Sequence, residues 1–122
     1  MPDVDVLVVG AGPAGSIAAL EAKRTGSGLD VVLLERDRAV GAPVRCAEGV
    51  GDGGLREFAN PDGASWVARK ITRVIFLSPD DTEVKVAERD VGWILDRTRF
   101  DAFLAAEAVA AGAHLLVGTE AT

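Results

Sequence analysis

The hydrophobic pattern over residues 1–35 predicts a strand, a helix and a second strand. Val4 and Val6–Val9 form a run rich in β-branched residues, which favours a strand. A helical pattern follows and ends at Gly26–Gly28. Asp30–Leu34 is an unbroken apolar run, typical of strands covered on both faces, so the order predicts a βαβ unit with parallel strands. Small residues at every fourth helical position give a narrow face able to pack closely on the sheet, and they are Ala14, Ala18 and Ala22.

The pattern changes after residue 35. Glycine and proline recur between residues 41 and 61, which predicts a long, shaped loop. Ile71–Leu77 and Thr82–Ala87 then read as two strands around the turn cluster at 78–81, so we expect an antiparallel hairpin. In its second strand, Val84 and Val86 alternate with polar residues, which predicts one buried and one solvated face.

The remaining pattern returns to a helix and a strand. Val91–Leu95 is a short extended piece, and the residues after Asp96 lead into a helix that ends at Gly112. His114–Val117 then predicts a strand. The fold class predicted is α/β, with a Rossmann-like FAD- or NAD(P)-binding βαβ unit, an inserted long loop and an antiparallel hairpin, in an incomplete domain. Its parts are residues 1–35 as the dinucleotide unit, 36–95 as the loop and hairpin insertion, and 96–122 as the helix and returning strand.

Three glycines stand between the first strand and the first helix, spaced as G-x-G-x-x-G. Gly10 permits the tight turn, Gly12 lets the main chain approach a pyrophosphate, and Gly15 lets the helix lie close on the sheet. An anion binds there because helix N-terminal N–H groups lack partners and the helix dipole is positive. Pro13 suits the first turn, where its missing N–H removes no helical bond. The motif predicts a bound dinucleotide, and a glycine turn without a ligand is the alternative.

Glu35 follows the second predicted strand, 20 residues after the last glycine of the motif. Its carboxylate there accepts hydrogen bonds from ribose hydroxyls and repels a 2′-phosphate. This position favours NAD or the AMP half of FAD over NADP, although Arg36 keeps NADP open. A solvated carboxylate at a strand end is the alternative reading of Glu35.

Composition narrows the function classes further. The net charge of −6, the pI near 4.7 and the lack of a basic stripe argue against nucleic-acid binding. Cys46 is the single cysteine and cannot form an internal disulfide, which suits a reducing cytoplasm. With a single histidine, His114, it leaves no plausible zinc site, so no metal is expected. The apolar runs are too short to cross a bilayer, and no export signal precedes the first strand.

The loop sequence GAPVRCAEGVGDGGL, placed after GAGPAG and Glu35, resembles the geranylgeranyl reductase family. These are FAD-dependent enzymes that hydrogenate isolated double bonds of prenyl chains in archaeal-type lipids, chlorophyll or related isoprenoids. The stretch ILDRTRFDAFLAAEAVAAGA and the strand ending GTEAT are similar to that family and to the wider p-hydroxybenzoate-hydroxylase-like flavoprotein group. Family members are much longer, so the resemblance implies an N-terminal piece that is inactive alone.

The resemblance implies FAD as the cofactor and assigns cofactor-binding residues by position. These are Gly10, Gly12, Ala14 and Gly15 at the pyrophosphate, Glu35 and Arg36 at the adenosine ribose, Cys46, Ala47 and Gly49 beside the flavin through their main chain, Arg97 in preference to Arg99 at the start of the later helix, and Ala121 near the adenine.

The resemblance also gives Cys46 a candidate catalytic role. Its thiol would point toward the flavin ring or the prenyl pocket, where it would help shape the site or supply a proton to the reduced alkene; the alternative is a small buried hydrophobe. Trp66 and Trp93 are interpreted as packing residues, with an apolar channel for a prenyl tail as the alternative, and His114 as an ordinary surface or half-buried residue. The acidic pairs interpreted as solvated turn charges are Asp80 with Asp81 and Glu88 with Asp90.

The function predicted is that of an FAD-dependent oxidoreductase that reduces isolated C=C bonds of geranylgeranyl or prenyl chains. An isolated alkene has no carbonyl to polarise, so its reduction needs a strong hydride donor in an apolar pocket and a proton source. The alternatives are a flavin monooxygenase of the same group and a non-catalytic dinucleotide-binding module. The partners implied are a prenyl lipid or isoprenoid substrate and an electron donor, which is NADPH, NADH or ferredoxin. Peripheral membrane contact of an otherwise cytoplasmic full-length protein is also expected.

Overall fold

The computed structural model describes residues 3–26 and 28–122, which form two compact units. One unit comprises Met1–Arg45 and Arg97–Thr122, and the other comprises Cys46–Asp96. The elements in chain order are β1 (Val6–Val9), α1 (Pro13–Thr25), β2 (Val31–Leu34), β3 (Gly49–Gly51), α2 (Asp52–Arg56), β4 (Val67–Leu77), β5 (Glu83–Leu95), α3 (Arg97–Ala110) and β6 (His114–Leu116).

The first unit is built on a parallel sheet with the strand order β1-β2-β6. Val6 pairs with Val31, and Leu34 pairs with Leu116, so the three strands end at the same edge of the sheet. Parallel neighbours require a crossover, and α1 supplies it between β1 and β2. The predicted βαβ unit with parallel strands is therefore confirmed.

Helices α1 and α3 pack on each other and cover one face of this sheet. Val31 and Leu33 of β2 are fully buried beneath them, together with Ala19 of α1 and Ala108 of α3. Ala19 and Ala108 add only a methyl group each at these buried positions, which favours close packing of the helices on the sheet. The core of this unit therefore lies between the sheet and the two helices.

The prediction that the alanine face of α1 packs on the sheet is wrong, because a different face of the helix is buried. Ala14 and Ala18 are exposed, and the buried residues of the helix are Ser16, Ala19 and Leu20. The Ser16 hydroxyl donates to the main-chain oxygen of Ala11 at 3.1 Å, which turns that side of the helix inward. The contact between the glycine turn and the helix thus fixes the rotation of α1, and alanine periodicity did not reveal it.

The opposite face of the parallel sheet is open among the described residues. Leu7, Val9 and Leu116 are 44%, 63% and 48% exposed, respectively. The apolar run of β2 had predicted cover on both faces. Within residues 3–26 and 28–122, the helices cover only one face of the parallel sheet.

The second unit is an antiparallel sheet with the order β3-β5-β4. The predicted hairpin between β4 and β5 is present, and its turn is closed where Ser78 N–H donates to Thr82 O at 3.0 Å. Both strands are longer than predicted, so Val91–Leu95 is the end of β5 and not a separate piece. Glu88 and Asp90 consequently lie in a strand and not in a turn, and Asp90 pairs with Lys70 at 2.5 Å.

The region predicted as a long loop after residue 35 contains two short elements, β3 and α2. The glycine-rich pattern did not predict either of them. Gly92 explains how β3 fits, because a Cβ atom there would lie 2.4 Å from the main-chain oxygen of Val50. The predicted burial of Val84 is wrong, since that side chain is 56% exposed. In the part of the chain that the structure describes, no helix combines the length and apolar character needed to cross a membrane.

Candidate functional site

The turn between β1 and α1 has the geometry that its glycines predict. Gly10 has φ of +95°, a left-handed conformation that favours glycine. A Cβ atom on Gly15 would lie 1.9 Å from the main-chain oxygen of Gly10, so the helix approaches the strand end as closely as its backbone allows. Around Gly12, by contrast, a Cβ atom would meet nothing within 4 Å. The turn therefore leaves open space over the main chain of Gly12.

The start of α1 is suited to an anion. Gly12 is its N-cap residue and carries no side chain to bond the first-turn N–H groups, and Pro13 occupies the first helical turn. First-turn N–H groups have no intrahelical partner, and the positive end of the helix dipole adds to their attraction for negative charge. A pyrophosphate fits this cradle, because it supplies the acceptors that the turn lacks.

Glu35 lies beside this turn and is held by two main-chain N–H groups. Its Oε2 accepts from Ala11 N–H at 2.9 Å, and its Oε1 accepts from Asp37 N–H at 3.0 Å. Glu35 itself is tied to β6, since its N–H donates to Leu116 O at 2.8 Å. The two main-chain bonds thus orient the carboxylate, which keeps lone pairs for further donors.

A groove of about 340 Å³ opens at this edge of the parallel sheet. It brings together four of the residues predicted to bind the cofactor, which are Gly10, Glu35, Arg36 and Ala121. The other lining residues are Val9, Leu34, Arg45, Thr119 and Glu120. Sequence reasoning did not select Arg45 or Thr119 for this groove, because both approach it through loop geometry that no periodicity signals.

Arg45 is paired with Asp37 across the loop that joins them. Its Nη1 donates to Asp37 Oδ2 at 2.6 Å, and its Nη2 donates to Oδ1 at 3.4 Å. The hydrogen bond from Arg45 holds the pKa of Asp37 below its usual range, and the same bond raises the pKa of Arg45. Both groups therefore stay charged at neutral pH.

Arg97, predicted to contact the cofactor, begins α3 and forms a two-point ion pair with Asp101. Its Nε and Nη2 atoms donate to the two carboxylate oxygens of Asp101 at 2.8 and 2.9 Å. Asp101 is buried, and the pairing compensates the cost of enclosing its charge. The ion pair gives Arg97 a structural role in the first unit, and its predicted cofactor contact stays a prediction.

The residues predicted to lie beside the flavin belong to the second unit. Cys46, Ala47 and Gly49 are exposed, so the reading of Cys46 as a buried hydrophobe is wrong. This segment is joined to β5, because Leu95 N–H donates to Glu48 O at 2.9 Å and Gly49 pairs with Ile94.

Trp93 anchors the helix that follows this segment. Its indole Nε1 donates to Asp52 Oδ1 at 2.7 Å, and Arg56 Nε donates to the same carboxylate at 2.9 Å. The bond from Trp93, followed by that from Arg56, lowers the pKa of Asp52. Trp66 and Trp93 are only 5% and 4% exposed, which agrees with their interpretation as packing residues.

His114 lies outside these clusters. Its side chain is 73% exposed, and its Nε2 lies 3.8 Å from Asp30 Oδ1. This agrees with the interpretation of His114 as an ordinary surface residue.

Comparison with known proteins identifies the family. The model of the FAD binding domain family matches residues 5–73, which include the glycine turn, Glu35 and the Cys46 segment. The chain is 48% identical over 124 residues to a digeranylgeranylglycerophospholipid reductase from Methanocella arvoryzae, covering 98% of this chain and 31% of the relative. The predicted resemblance to the geranylgeranyl reductases is thereby confirmed.

Solved structures support the same fold. A geranylgeranyl bacteriochlorophyll reductase-like protein from Thermoplasma acidophilum matches with a TM-score of 0.80 and 36% identity, covering 94% of this chain and 30% of that one. An aklavinone-11 hydroxylase, solved in a ternary complex with FAD and aklavinone, matches with a TM-score of 0.59 and 23% identity over 97% of this chain and 26% of its own, which shows the fold alone.

The predicted Rossmann-like α/β fold is therefore confirmed, and this chain spans about a third of the length of the reductases it matches. The family match likewise confirms FAD as the predicted cofactor. The chain belongs to the FAD binding domain family.

Proposed function

We propose that this chain is the FAD-binding portion of a flavin-dependent oxidoreductase that saturates isolated C=C bonds of geranylgeranyl or other prenyl chains. The observation that carries the proposal is the 48% identity to a digeranylgeranylglycerophospholipid reductase across 98% of the chain. The identity runs through both units and is not confined to the glycine turn. A dinucleotide-binding turn alone would leave the reaction open, because one fold serves many chemistries.

In this proposal, different residues bind the pyrophosphate, the ribose and the adenine of the cofactor. The main chain of Gly10, Gly12, Ala14 and Gly15 holds the pyrophosphate at the start of α1. Glu35 accepts hydrogen bonds from the ribose hydroxyls, and the bonds that it accepts from Ala11 and Asp37 N–H fix the orientation of its carboxylate. Arg36 flanks the same ribose, and Ala121, at the edge of the groove, lies toward the adenine. Arg97 contacts the cofactor from the start of α3.

The residues proposed for the flavin end of the cofactor lie just before β3 and at its start. Cys46, Ala47 and Gly49 contact the isoalloxazine through their main chain, and Glu48 O, held by Leu95 N–H, fixes their path along β5. FAD, when bound and reduced, supplies the hydride for the alkene carbon. The Cys46 thiol is exposed and supplies the proton to the other carbon. The electron donor is NADPH, NADH or ferredoxin.

The same proposal places the complete protein in the cytoplasm, in peripheral contact with the membrane that holds its prenyl lipid. An apolar substrate of this class resides in a bilayer, so we expect the enzyme to meet it at the membrane surface. Flotation of the complete protein with liposomes tests this contact, and recovery of all the protein in the lipid-free fraction would contradict it.

Calorimetric titration of the 122-residue chain with FAD, NAD and NADP tests the cofactor assignment. We expect FAD to bind tightest and NADP weakest, because Glu35 repels a 2′-phosphate. Equal affinity for the three nucleotides would favour a bare dinucleotide module over a flavoprotein.

The reaction itself is tested with the protein encoded by the complete gene. We expect yellow protein that is bleached by a reductant and recovers its flavin absorbance as a geranylgeranyl lipid is saturated. A flavin-free preparation that cannot be reconstituted would refute the assignment, and oxygen-dependent hydroxylation would favour a monooxygenase. Cys46→Ser, compared with Cys46→Ala, tests the proton donor: both should retain the flavin and slow lipid saturation, with the larger loss in Cys46→Ala.

A further inference from the structure

We propose that Trp93 and Asp52 are positioning residues for the reaction, because together they hold residues 46–51 in a fixed path along β5. Residues 46–51 are called the flavin segment here, since they include those that the proposed function assigns to the flavin. The inference rests on that proposed function. It gives a task to a hydrogen bond between two side chains that the proposed cofactor contacts do not use.

The flavin segment lies against the end of β5. Its three residues in β3 pair with residues 92–94 of β5, and Leu95 N–H donates to Glu48 O at 2.9 Å. Gly92 allows the close approach, because a Cβ atom there would lie 2.4 Å from Val50 O. A strand of three residues makes few ladder bonds, and β3 stands at the end of the strand order β3-β5-β4 in the described sheet. Its position therefore depends also on how the chain is held where β3 ends.

A hydrogen bond between distant residues holds the chain at that end. Asp52 follows β3 directly and begins α2. Its Oδ1 accepts from Trp93 Nε1 at 2.7 Å, although the two residues are 41 positions apart in the sequence. Trp93 stands opposite Val50 in the ladder between β3 and β5. The bond thus ties the chain just after β3 to the same strand with which β3 pairs.

Trp93 is a firmly held anchor for this bond. It is 4% exposed, and it stands opposite Lys70 in the ladder between β4 and β5. Lys70 Nζ lies 5.0 Å from the centroid of the indole ring, and the guanidinium carbon of Arg56 lies 5.8 Å from it. A cation at these distances is attracted to an aromatic ring. Burial and the two cations therefore give the indole N–H a defined direction.

Asp52 is oriented by a second donor. Arg56 Nε lies 2.9 Å from each of its carboxylate oxygens, and the side chain of Asp52 is 14% exposed. The positive guanidinium compensates the cost of enclosing the carboxylate. Removing the carboxylate would leave the buried indole N–H without this acceptor, which costs free energy. The bond between Trp93 and Asp52 is therefore a fixed link, unlike an ion pair on an exposed surface.

The consequence for the reaction is one of geometry. A displacement of about 1 Å in the groups that position a reacting centre lowers the rate strongly. Loss of the link would shift the flavin segment, and with it the main-chain contacts proposed for the isoalloxazine. The glycine turn and Glu35 lie outside β3, α2 and β5, so the contacts proposed for the pyrophosphate and the ribose should persist. ADP lacks the isoalloxazine, so the ratio of FAD affinity to ADP affinity reports on the flavin segment.

The test compares FAD with ADP as ligands of the flavin-free protein encoded by the complete gene, by calorimetry. Trp93→Phe keeps a buried aromatic ring and removes the N–H donor. We expect it to weaken FAD binding about threefold, within the factor that one lost hydrogen bond produces, and to change ADP binding less than about 1.5-fold. With saturating FAD, the flavin absorption spectrum should shift, and kcat for lipid saturation should fall about tenfold while KM changes less than about twofold.

Trp66→Phe is the matched control. It makes the same change at an indole that is 5% exposed and lies before β4. Thermal unfolding of both variants measures the general cost of losing a buried indole. Trp66→Phe should lower the midpoint of unfolding and leave both the affinity ratio and the flavin spectrum unchanged, because a purely structural role moves neither.

Substitutions of Asp52 supply a second measurement that leaves the indole in place. Asp52→Ala removes the acceptor, so it should repeat the effect of Trp93→Phe on the affinity ratio. Asp52→Asn keeps an acceptor oxygen and should restore most of the FAD affinity. Combining Trp93→Phe with Asp52→Ala should weaken FAD binding no further than either change alone, because both remove one link. If Trp93→Phe does not fold, the two Asp52 variants decide the question.

The outcomes separate the inference from the proposed function. If the unsubstituted protein binds FAD and Trp93→Phe matches Trp66→Phe in affinity ratio and spectrum, the link does not position the flavin segment and the flavoprotein assignment stands. Equal losses for FAD and ADP would also overturn the inference, since they would show a general loosening of the fold. So would an Asp52→Asn protein as impaired as Asp52→Ala. A complete protein that binds neither FAD nor ADP contradicts both proposals.

Discussion

Gly15→Ala should damage the fold of the first unit through a single contact. The added methyl group would lie 1.9 Å from the main-chain oxygen of Gly10, and 3.3 Å from a methyl group of Val8. Neither chain segment can yield by rotating a side chain, because the 1.9 Å contact is with main chain. The end of β1 and the start of α1 must then separate by about 1 Å, which loosens a close-packed contact.

The expected loss follows from two opposed effects. Forcing an extra methyl group against a packed backbone costs about 3 kcal/mol, at the upper end of overpacking. Alanine regains about 1 kcal/mol over glycine inside a helix. The net loss is therefore about 2 kcal/mol, and it should lower the midpoint of thermal unfolding by roughly 6–10 °C in a chain of this size. ADP affinity should fall at least about tenfold, since the turn and the helix N-terminus no longer share one geometry.

Two other glycine substitutions serve as controls in the same assays, circular dichroism on heating and calorimetric titration with ADP. A Cβ atom at Gly12 would meet nothing within 4 Å, and the backbone there is extended, so Gly12→Ala should lower the free energy of unfolding by less than about 1 kcal/mol. Its methyl group would enter the space over the turn, so ADP binding should weaken. Gly28→Ala, also without neighbours, should change neither measurement. A Gly15→Ala protein that unfolds at the temperature of the unsubstituted chain would refute the reasoning.

Three further predictions concern single contacts. Glu35→Gln should lower the free energy of unfolding by about 1 kcal/mol in urea titration, because an amide has one acceptor oxygen and loses the bond from Ala11 or Asp37 N–H; an unchanged midpoint would contradict this. Asp52 has a lowered pKa, so the stability it provides is present above its ordinary value of about 4 and is lost as the pH falls below it. Asp52→Asn should reduce the acid sensitivity of the unfolding midpoint as the pH falls below about 4, and an unaltered pH profile would contradict it. Gly92→Ala should displace β3 and expose residues 46–51 to limited proteolysis, whereas protection equal to that of the unsubstituted chain would show that the 2.4 Å contact is relieved elsewhere.

The first 35 residues could be predicted well because their signals are local. The glycine spacing demands a particular backbone at each position, and the structure has that backbone at Gly10 and at Gly15. The acid after β2 stands at the same edge as the turn, since parallel strands end together. The positions of the glycine turn and of Glu35 follow from the order and direction of the strands, and the hydrophobic pattern of the sequence predicts both.

The phase of α1 and the extent of the hairpin could not be predicted in the same way. Ala14, Ala18 and Ala22 have helical spacing, yet the contacts of Ser16 and Gly15 choose a different face for burial. In β5, charged residues at 88–90 resemble a turn, and the register with β4 shifts there, since Ile71 pairs with Gly92 and Arg73 pairs with Ala87. The strand nevertheless continues through this irregularity, because it is paired with β4 on both sides of it. Tertiary contacts override local preference in both places.

Residue type at a fixed spacing was enough to predict a glycine turn of the dinucleotide-binding kind, a parallel βαβ unit, an acidic residue directly after its second strand and a resemblance to prenyl reductases. The folded chain was needed to show that Glu35 accepts a hydrogen bond from Ala11 N–H, that Arg45 lines the groove and is paired with Asp37, and that Trp93 donates to Asp52. These contacts join residues 8 to 41 positions apart. No periodicity encodes them, since they depend on where the folded backbone brings distant side chains together.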